Sequence, residues 1–128
     1  MKKKFLIVTA NYYKHISNSL LKSSKTLIPK NCKTRIINVP GVFEIPVTIS
    51  KNLKKYDAFI ALGCVIKGQT PHFDFISRST ISAIMQLTIV SKKPIGNGII
   101  TCLNMKQAKA RGKKGKEAAK AVISVLSQ

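Results

Sequence analysis

Short apolar runs alternate along this chain with longer stretches whose apolar residues recur at helical spacing. No feature limits the possible folds more. Lys4 to Ala10 is apolar and rich in β-branched residues, the pattern of a parallel strand buried on both faces. His15 to Leu27 follows with Ile16, Leu20, Leu21 and Leu27 at roughly helical intervals. After Pro29-Lys30-Asn31, Lys33 to Val39 is a second strand, broken by Pro40-Gly41. Phe43 to Lys55 is a second helix, patterned by Ile45, Ile49 and Leu53, and Pro46 fits its first turn, where a missing N–H costs nothing. Asp57 to Cys64 is a third strand ending at Gly63. Pro71 to Val90 is a long helix with Phe75, Ile76, Ile81, Ile84, Met85 and Leu87 as core candidates. Pro94 opens the next element and Gly98 to Thr101 continues a fourth strand. Asn104 to Arg111 is a short helix, Gly112-Lys113-Lys114-Gly115 interrupts it, and Lys116 to Leu126 is the last helix.

This order implies one α/β domain over residues 1–128: a four-stranded parallel sheet with helices on both faces. Ligands of such folds sit beyond the C-terminal ends of the strands. Four segments fall there: Ala10 to Tyr13, Val39 to Glu44, Cys64 to Phe75, and Thr101 onward.

With 128 residues and 45% hydrophobic content, a single core can fold without staples. No apolar stretch is long enough to span a bilayer. The start, Met1-Lys2-Lys3-Lys4-Phe5-Leu6-Ile7-Val8, imitates a signal peptide but lacks a small-residue cleavage pattern, so it reads as the first strand. Cys32, Cys64 and Cys102 are odd in number and show no CxxC spacing, which supports neither a disulfide framework nor a metal site and fits a reducing, cytoplasmic setting.

Charge is the anomaly. Twenty-three Lys and Arg against four Asp and Glu give +19. A nucleic-acid partner would account for it. So would solvated lysine spread over exposed faces. The excess is mostly Lys, it is scattered from Lys2 to Lys120, and no RNA-recognition, zinc-finger or helix-turn-helix pattern accompanies it. This argues against nucleic acid.

Four motifs can carry chemistry, each beside a plainer alternative. Cys64-Val65-Ile66-Lys67-Gly68-Gln69-Thr70-Pro71-His72-Phe73-Asp74-Phe75 follows a buried strand and opens a helix, whose N-terminal amides favour phosphate. His72 in its first turn can take and give a proton near neutrality; alternatively it is a partly buried, hydrogen-bonded histidine. Glu44, within Val39 to Pro46, can accept hydrogen bonds from a polyol or simply complement a helix dipole. Tyr12-Tyr13 can stack on a flat heterocycle or cap the core. Arg111, with Lys113, Lys114 and Lys116 between two glycines, can grip phosphate from a shaped loop or form a solvated basic face.

Taken together these segments resemble the lumazine synthase family. The resemblance rests on Pro40-Gly41-Val42-Phe43-Glu44-Ile45-Pro46 and Leu62-Gly63-Cys64-Val65-Ile66-Lys67-Gly68-Gln69-Thr70-Pro71-His72-Phe73-Asp74. Gly96 to Thr101, Gln107-Ala108 and Gly115 to Ala119 add to it. It covers nearly the whole chain in the right order. It implies a three-layer flavodoxin-like fold and a homo-oligomer, a pentamer or higher, with active sites between subunits. The implied enzyme is a transferase of riboflavin biosynthesis. It condenses 5-amino-6-(D-ribitylamino)uracil with 3,4-dihydroxy-2-butanone 4-phosphate, with no cofactor and no metal. Tyr12 would stack on the ring, Val42, Phe43 and Glu44 would hold ribityl chain and ring, and Cys64, Val65 and Ile66 would line the pyrimidine. Gln69 and Thr70 would bind the phosphate, and His72 would transfer protons. The neighbour would present Asn97 to the ring and Arg111 to the phosphate, with Lys114 and Glu117 as accessories.

Departures from the family pattern are Val42 for a common Ala, Tyr12 for a usual Phe or Trp, Asn97 for a frequent Phe, and a shorter loop between Arg111 and Lys114. That loop, and a first strand lying close to Met1, imply a free pentamer or a dimer of pentamers rather than a sixty-subunit shell. Two rivals stand beside this reading: a basic RNA-binding α/β domain and a non-catalytic lumazine or flavin carrier.

Overall fold

The computed structural model describes residues 2–128; Met1 lies outside them. Strands β1 (Lys4–Ala10), β2 (Lys33–Val39), β3 (Ala58–Ile66) and β4 (Ile95–Cys102) form one sheet in the order β2-β1-β3-β4. All three pairings are parallel, and Ile7 of β1 sits between Ile36 of β2 and Ile60 of β3. The helices are α1 (Lys14–Lys25), α2 (Ile45–Lys51), α3 (His72–Ser91), α4 (Met105–Ala110) and α5 (Lys114–Leu126). This is the three-layer, flavodoxin-like α/β arrangement.

Strand alternation divides the core in two. Phe5, Ile7, Ile60, Leu62, Cys64, Ile100 and Cys102 pack on Ile16 and Leu20 of α1, Ala108 of α4 and Ala118, Ala119 and Val122 of α5. Leu6, Val8, Ala10, Phe59, Ala61 and Ile99 pack on Ile45 and Ile49 of α2 and Ile84 of α3. Each large side chain removed from water in this way contributes about 1.5–3 kcal/mol, which holds both helical layers against one rigid sheet.

Several boundaries differ from the sequence expectation. β3 does not end at Gly63; it continues to Ile66 because β4 goes on pairing with it, Gly63 opposite Ile99 and Ile66 opposite Cys102. The helix expected over Phe43 to Lys55 opens with a 3-10 turn at Val42–Glu44 and stops at Lys51. There the Asn52 side-chain amide donates to the Thr48 carbonyl at 2.8 Å, satisfying an acceptor the helix would otherwise leave open. Gly115 lies inside α5 rather than in a loop. A Cβ on it would collide with the Leu20 carbonyl, and one on Gly112 with Ser19 Oγ. Both glycines therefore let α1 approach closely. Ser23 Oγ, within this contact, donates to the Gly112 carbonyl at 2.6 Å and accepts from Lys116 N–H at 3.1 Å.

Three core candidates on α3 are not core. Phe75 (65% exposed), Ile81 and Met85 are exposed, as are Ile89 and Val90, while Ile84 is buried. The helix is apolar on more than one stripe, and the sheet of a single chain covers only one. Among the described residues no helix is long and apolar enough to cross a membrane.

Candidate active site

The C-terminal ends of β1, β2 and β3 meet the start of α3 around a cleft of about 300 Å³. Its lining includes Tyr12, Val42, Phe43, Cys64, Val65, Ile66 and His72. Seven of the expected site residues, far apart in sequence, thus share one cavity.

Each is held by its element. The Asn11 amide donates to the Val39 carbonyl at 2.9 Å, and Ser17 Oγ donates to the Ala10 carbonyl, which together fix the turn that carries the tyrosines. Tyr12 is 76% exposed and meets Tyr13 edge to face at 4.9 Å. It does not cap the core; its ring is exposed at the cleft mouth, as is Phe43. Glu44 Oε1 accepts from the Gly41 N–H at 3.0 Å, so one carboxylate oxygen braces the Pro40-Gly41 turn. His72, the first residue of α3, is exposed rather than partly buried, and its backbone N–H is turned toward Thr70 Oγ1 at 3.4 Å. Burial pushes the Cys64 thiol up to about 12, with Cys102 beside it adding to the shift. Cys64 is therefore a neutral, apolar wall rather than a nucleophile. Burial also raises Tyr13, with smaller contributions from Tyr12 and Cys64.

The remaining expected residues lie elsewhere. Asn97, Arg111, Lys114 and Glu117 line a second cleft, of about 510 Å³, that follows β4. β4 is an edge strand of the sheet. Asn97 is exposed on it and its Oδ1 accepts from Ile99 N–H at 3.1 Å, which turns the amide nitrogen outward as a donor. Arg111 ends α4, and its guanidinium donates to the Thr101 carbonyl at 3.1 Å and approaches Cys102 Sγ at 3.9 Å. α4 is itself fixed by Asn104 Oδ1 accepting from Gln107 N–H at 2.9 Å and Gln107 Oε1 accepting from Leu103 N–H at 2.8 Å. Lys114 and Glu117 form an exposed ion pair at 3.8 Å. Gln69 and Thr70, in the exposed turn before α3, line neither cleft.

Sequence reasoning gives no site role to Ile76, Ile81 or Thr101, which line these clefts; it makes the two isoleucines core candidates and puts Thr101 only in a segment beyond a strand end. Helical spacing held the signal for the first, since Ile76 is one turn beyond His72. Strand alternation held it for Thr101, which lies on the same face of β4 as Asn97.

Known proteins resemble this chain along nearly all of its length. A family described as 6,7-dimethyl-8-ribityllumazine synthase matches residues 2–128. The protein of that name from Bartonella bacilliformis is 43% identical over 117 residues, covering 88% of this chain and 77% of its own. That of Zymomonas mobilis subsp. mobilis is 39% identical, covering 97% and 94%. That of Methylorubrum extorquens is 38% identical, covering 95% and 78%. Given the parallel fold, the cleft at its strand ends and these similarities, the chain belongs to the 6,7-dimethyl-8-ribityllumazine synthase family.

Proposed function

We propose that the chain condenses 5-amino-6-(D-ribitylamino)uracil with 3,4-dihydroxy-2-butanone 4-phosphate, and that two neighbouring copies in a homopentamer complete each active site. One observation carries the second half of the proposal: the expected site residues divide between two separate clefts of one chain. The cleft at the strand ends takes the pyrimidine and ribityl chain. The neighbouring copy's β4 edge closes it and brings Asn97 and Arg111.

Roles follow from side-chain chemistry. Tyr12 stacks on the heterocycle, Val42 and Phe43 hold ring and ribityl chain, and Cys64, Val65 and Ile66 wall the pyrimidine. Glu44 keeps its second carboxylate oxygen for a ribityl hydroxyl. Asn97 of the neighbouring copy donates to the ring. Gln69, Thr70 and the start of α3 receive the phosphate, and Arg111 of the neighbouring copy anchors it until elimination. The 5-amino group attacks the ketone, water leaves to give an imine, phosphate is eliminated, and the ribitylamino nitrogen closes the ring with loss of a second water. His72, exposed at the cleft, moves the protons. Proximity in well-oriented cases is worth about 7–11 kcal/mol, and acid–base assistance adds roughly 10²–10⁴-fold. Lys114 and Glu117 steady the basic loop near Arg111.

The exposed apolar stripe of α3, with Phe75, Met85 and Ile89, supports self-association. The assembly is a free pentamer or a pair of pentamers; hollow spheres in electron micrographs would overturn that choice. Three free cysteines fit a cytoplasmic setting.

The test is absorbance-monitored lumazine formation by wild type, His72→Ala, Arg111→Ala, and the two variants refolded together at equal ratio. Each variant alone is expected to lose most activity. In the mixture about one site in four combines an intact His72 side with an intact Arg111 side, so about a quarter of wild-type activity returns if sites lie between copies. A mixture no more active than its components sinks the shared site. A folded wild type that binds the pyrimidine without turnover would instead be a carrier.

A further inference from the structure

We propose that the opposite end of the sheet carries a second anion site, for a ligand with two or more phosphoryl groups, unconnected with the condensation. A cleft of about 530 Å³ is lined there by Lys4, Lys33, Thr34, Arg35, Lys54, Lys55 and Tyr56. Lys4 opens β1, Lys33 and Arg35 open β2, and Lys54 and Lys55 lie in the turn before β3. Three separate parts of the chain thus bring five cationic side chains to one concave surface. It lies at the N-terminal ends of the strands, away from the cleft that holds His72.

Blocking of an exposed sheet edge accounts for basic residues on β2. It does not account for Lys4, Lys54 and Lys55, which belong to other elements. Nor is the positive charge answered from within. Among the described residues the ion pair formed is Lys114 with Glu117, at the other end of the molecule. The nearby carboxylate, Asp57, whose Oδ2 accepts from the Lys4 backbone N–H at 2.8 Å, offers one negative charge against five positive ones. Cations gathered in a concavity in excess of counter-charge repel one another and focus a positive potential, and a multivalent anion relieves both. The Arg35 guanidinium reaches the Tyr56 hydroxyl at 3.5 Å, which holds its planar fork in the cleft, where it can grip phosphate bidentately. Lysines on three sides supply further charge, and the Thr34 hydroxyl can donate.

The test is isothermal titration with inorganic tripolyphosphate, pyrophosphate and ADP against wild type, Lys33→Ala/Arg35→Ala, and the charge-matched control Lys25→Ala/Lys120→Ala. Arg111→Ala is titrated in parallel to separate the substrate-phosphate side of the active site. Arg111→Ala is expected to keep the tripolyphosphate binding that the loss of Lys33 and Arg35 removes, whatever the active-site phosphate subsite adds in wild type. The double loss of Lys33 and Arg35 should weaken it at least about tenfold, while the control changes it less than about twofold. The added variant Lys54→Ala/Lys55→Ala should weaken it similarly and guards against a folding defect in the first. Tighter binding of ADP than pyrophosphate would assign a nucleotide as source, and equal binding a free phosphate chain. Equal weakening in the charge-matched control, or loss of binding in Arg111→Ala, would overturn the site. So would preference for a single-stranded RNA oligonucleotide that every lysine loss reduces equally.

Discussion

Cys64 and Gly115 show how far a residue's surroundings alter its chemistry. A free thiol lining a cleft invites a reactive role, but burial, with Cys102 adding to it, holds Cys64 protonated up to about 12 from an ordinary 9.0. The unfolded chain releases that proton near 9.0 and the native chain does not, so this share of stability is present below pH 9 and is lost as pH rises toward 12. The urea midpoint of wild type should therefore fall across that window, and Cys64→Ala should fall less steeply. Gly115 gives the opposite surprise. On an exposed helix, Gly→Ala gains up to about 1 kcal/mol. Here the new methyl would meet the Leu20 carbonyl, so Gly115→Ala is expected to cost about 2 kcal/mol in urea denaturation. The residue types were plain in the sequence. Their neighbours, 38 positions away for Cys64 and on another helix for Gly115, were not.

At the scale of elements, periodicity located every strand and helix, because a buried strand and an amphipathic helix leave different repeats. It failed where a partner decides. β3 outlasts Gly63 because β4 continues beside it, and α2 ends early because Asn52 closes its last turn. α3 is the most instructive case. Helical spacing makes Phe75, Ile81 and Met85 core candidates, yet all three are exposed in the single chain, as is Ile89. Periodicity detects that a face is apolar and cannot tell whether the same chain or another copy covers it. Ile89→Asp is accordingly expected to change monomer stability by no more than about 0.5 kcal/mol. Sedimentation should nonetheless move to smaller species with helical circular dichroism retained. An unchanged sedimentation coefficient would remove α3 from the interface.

The whole molecule is governed by +19 of net charge. Self-repulsion of that size opposes compaction, and salt screens it. Raising sodium chloride from ~20 mM to ~300 mM should raise the melting temperature by several degrees, while weakening capture of the phosphate substrate if steering matters. A melting temperature independent of salt would mean the lysines are too dispersed to repel. By itself the sequence determined the layer order, the parallel sheet and the family. Buried strands, helical stripes and the Gly68 to His72 segment are local patterns, legible without contacts. It also indicated at which end of the sheet the cleft lined by Tyr12 and His72 lies, since that end follows from strand direction. Only the tertiary structure decided that His72 and Tyr12 share a cleft while Asn97 and Arg111 face away along the β4 edge. Which strand lies outermost is fixed by crossovers spanning the whole chain, and no run of neighbouring residues records it.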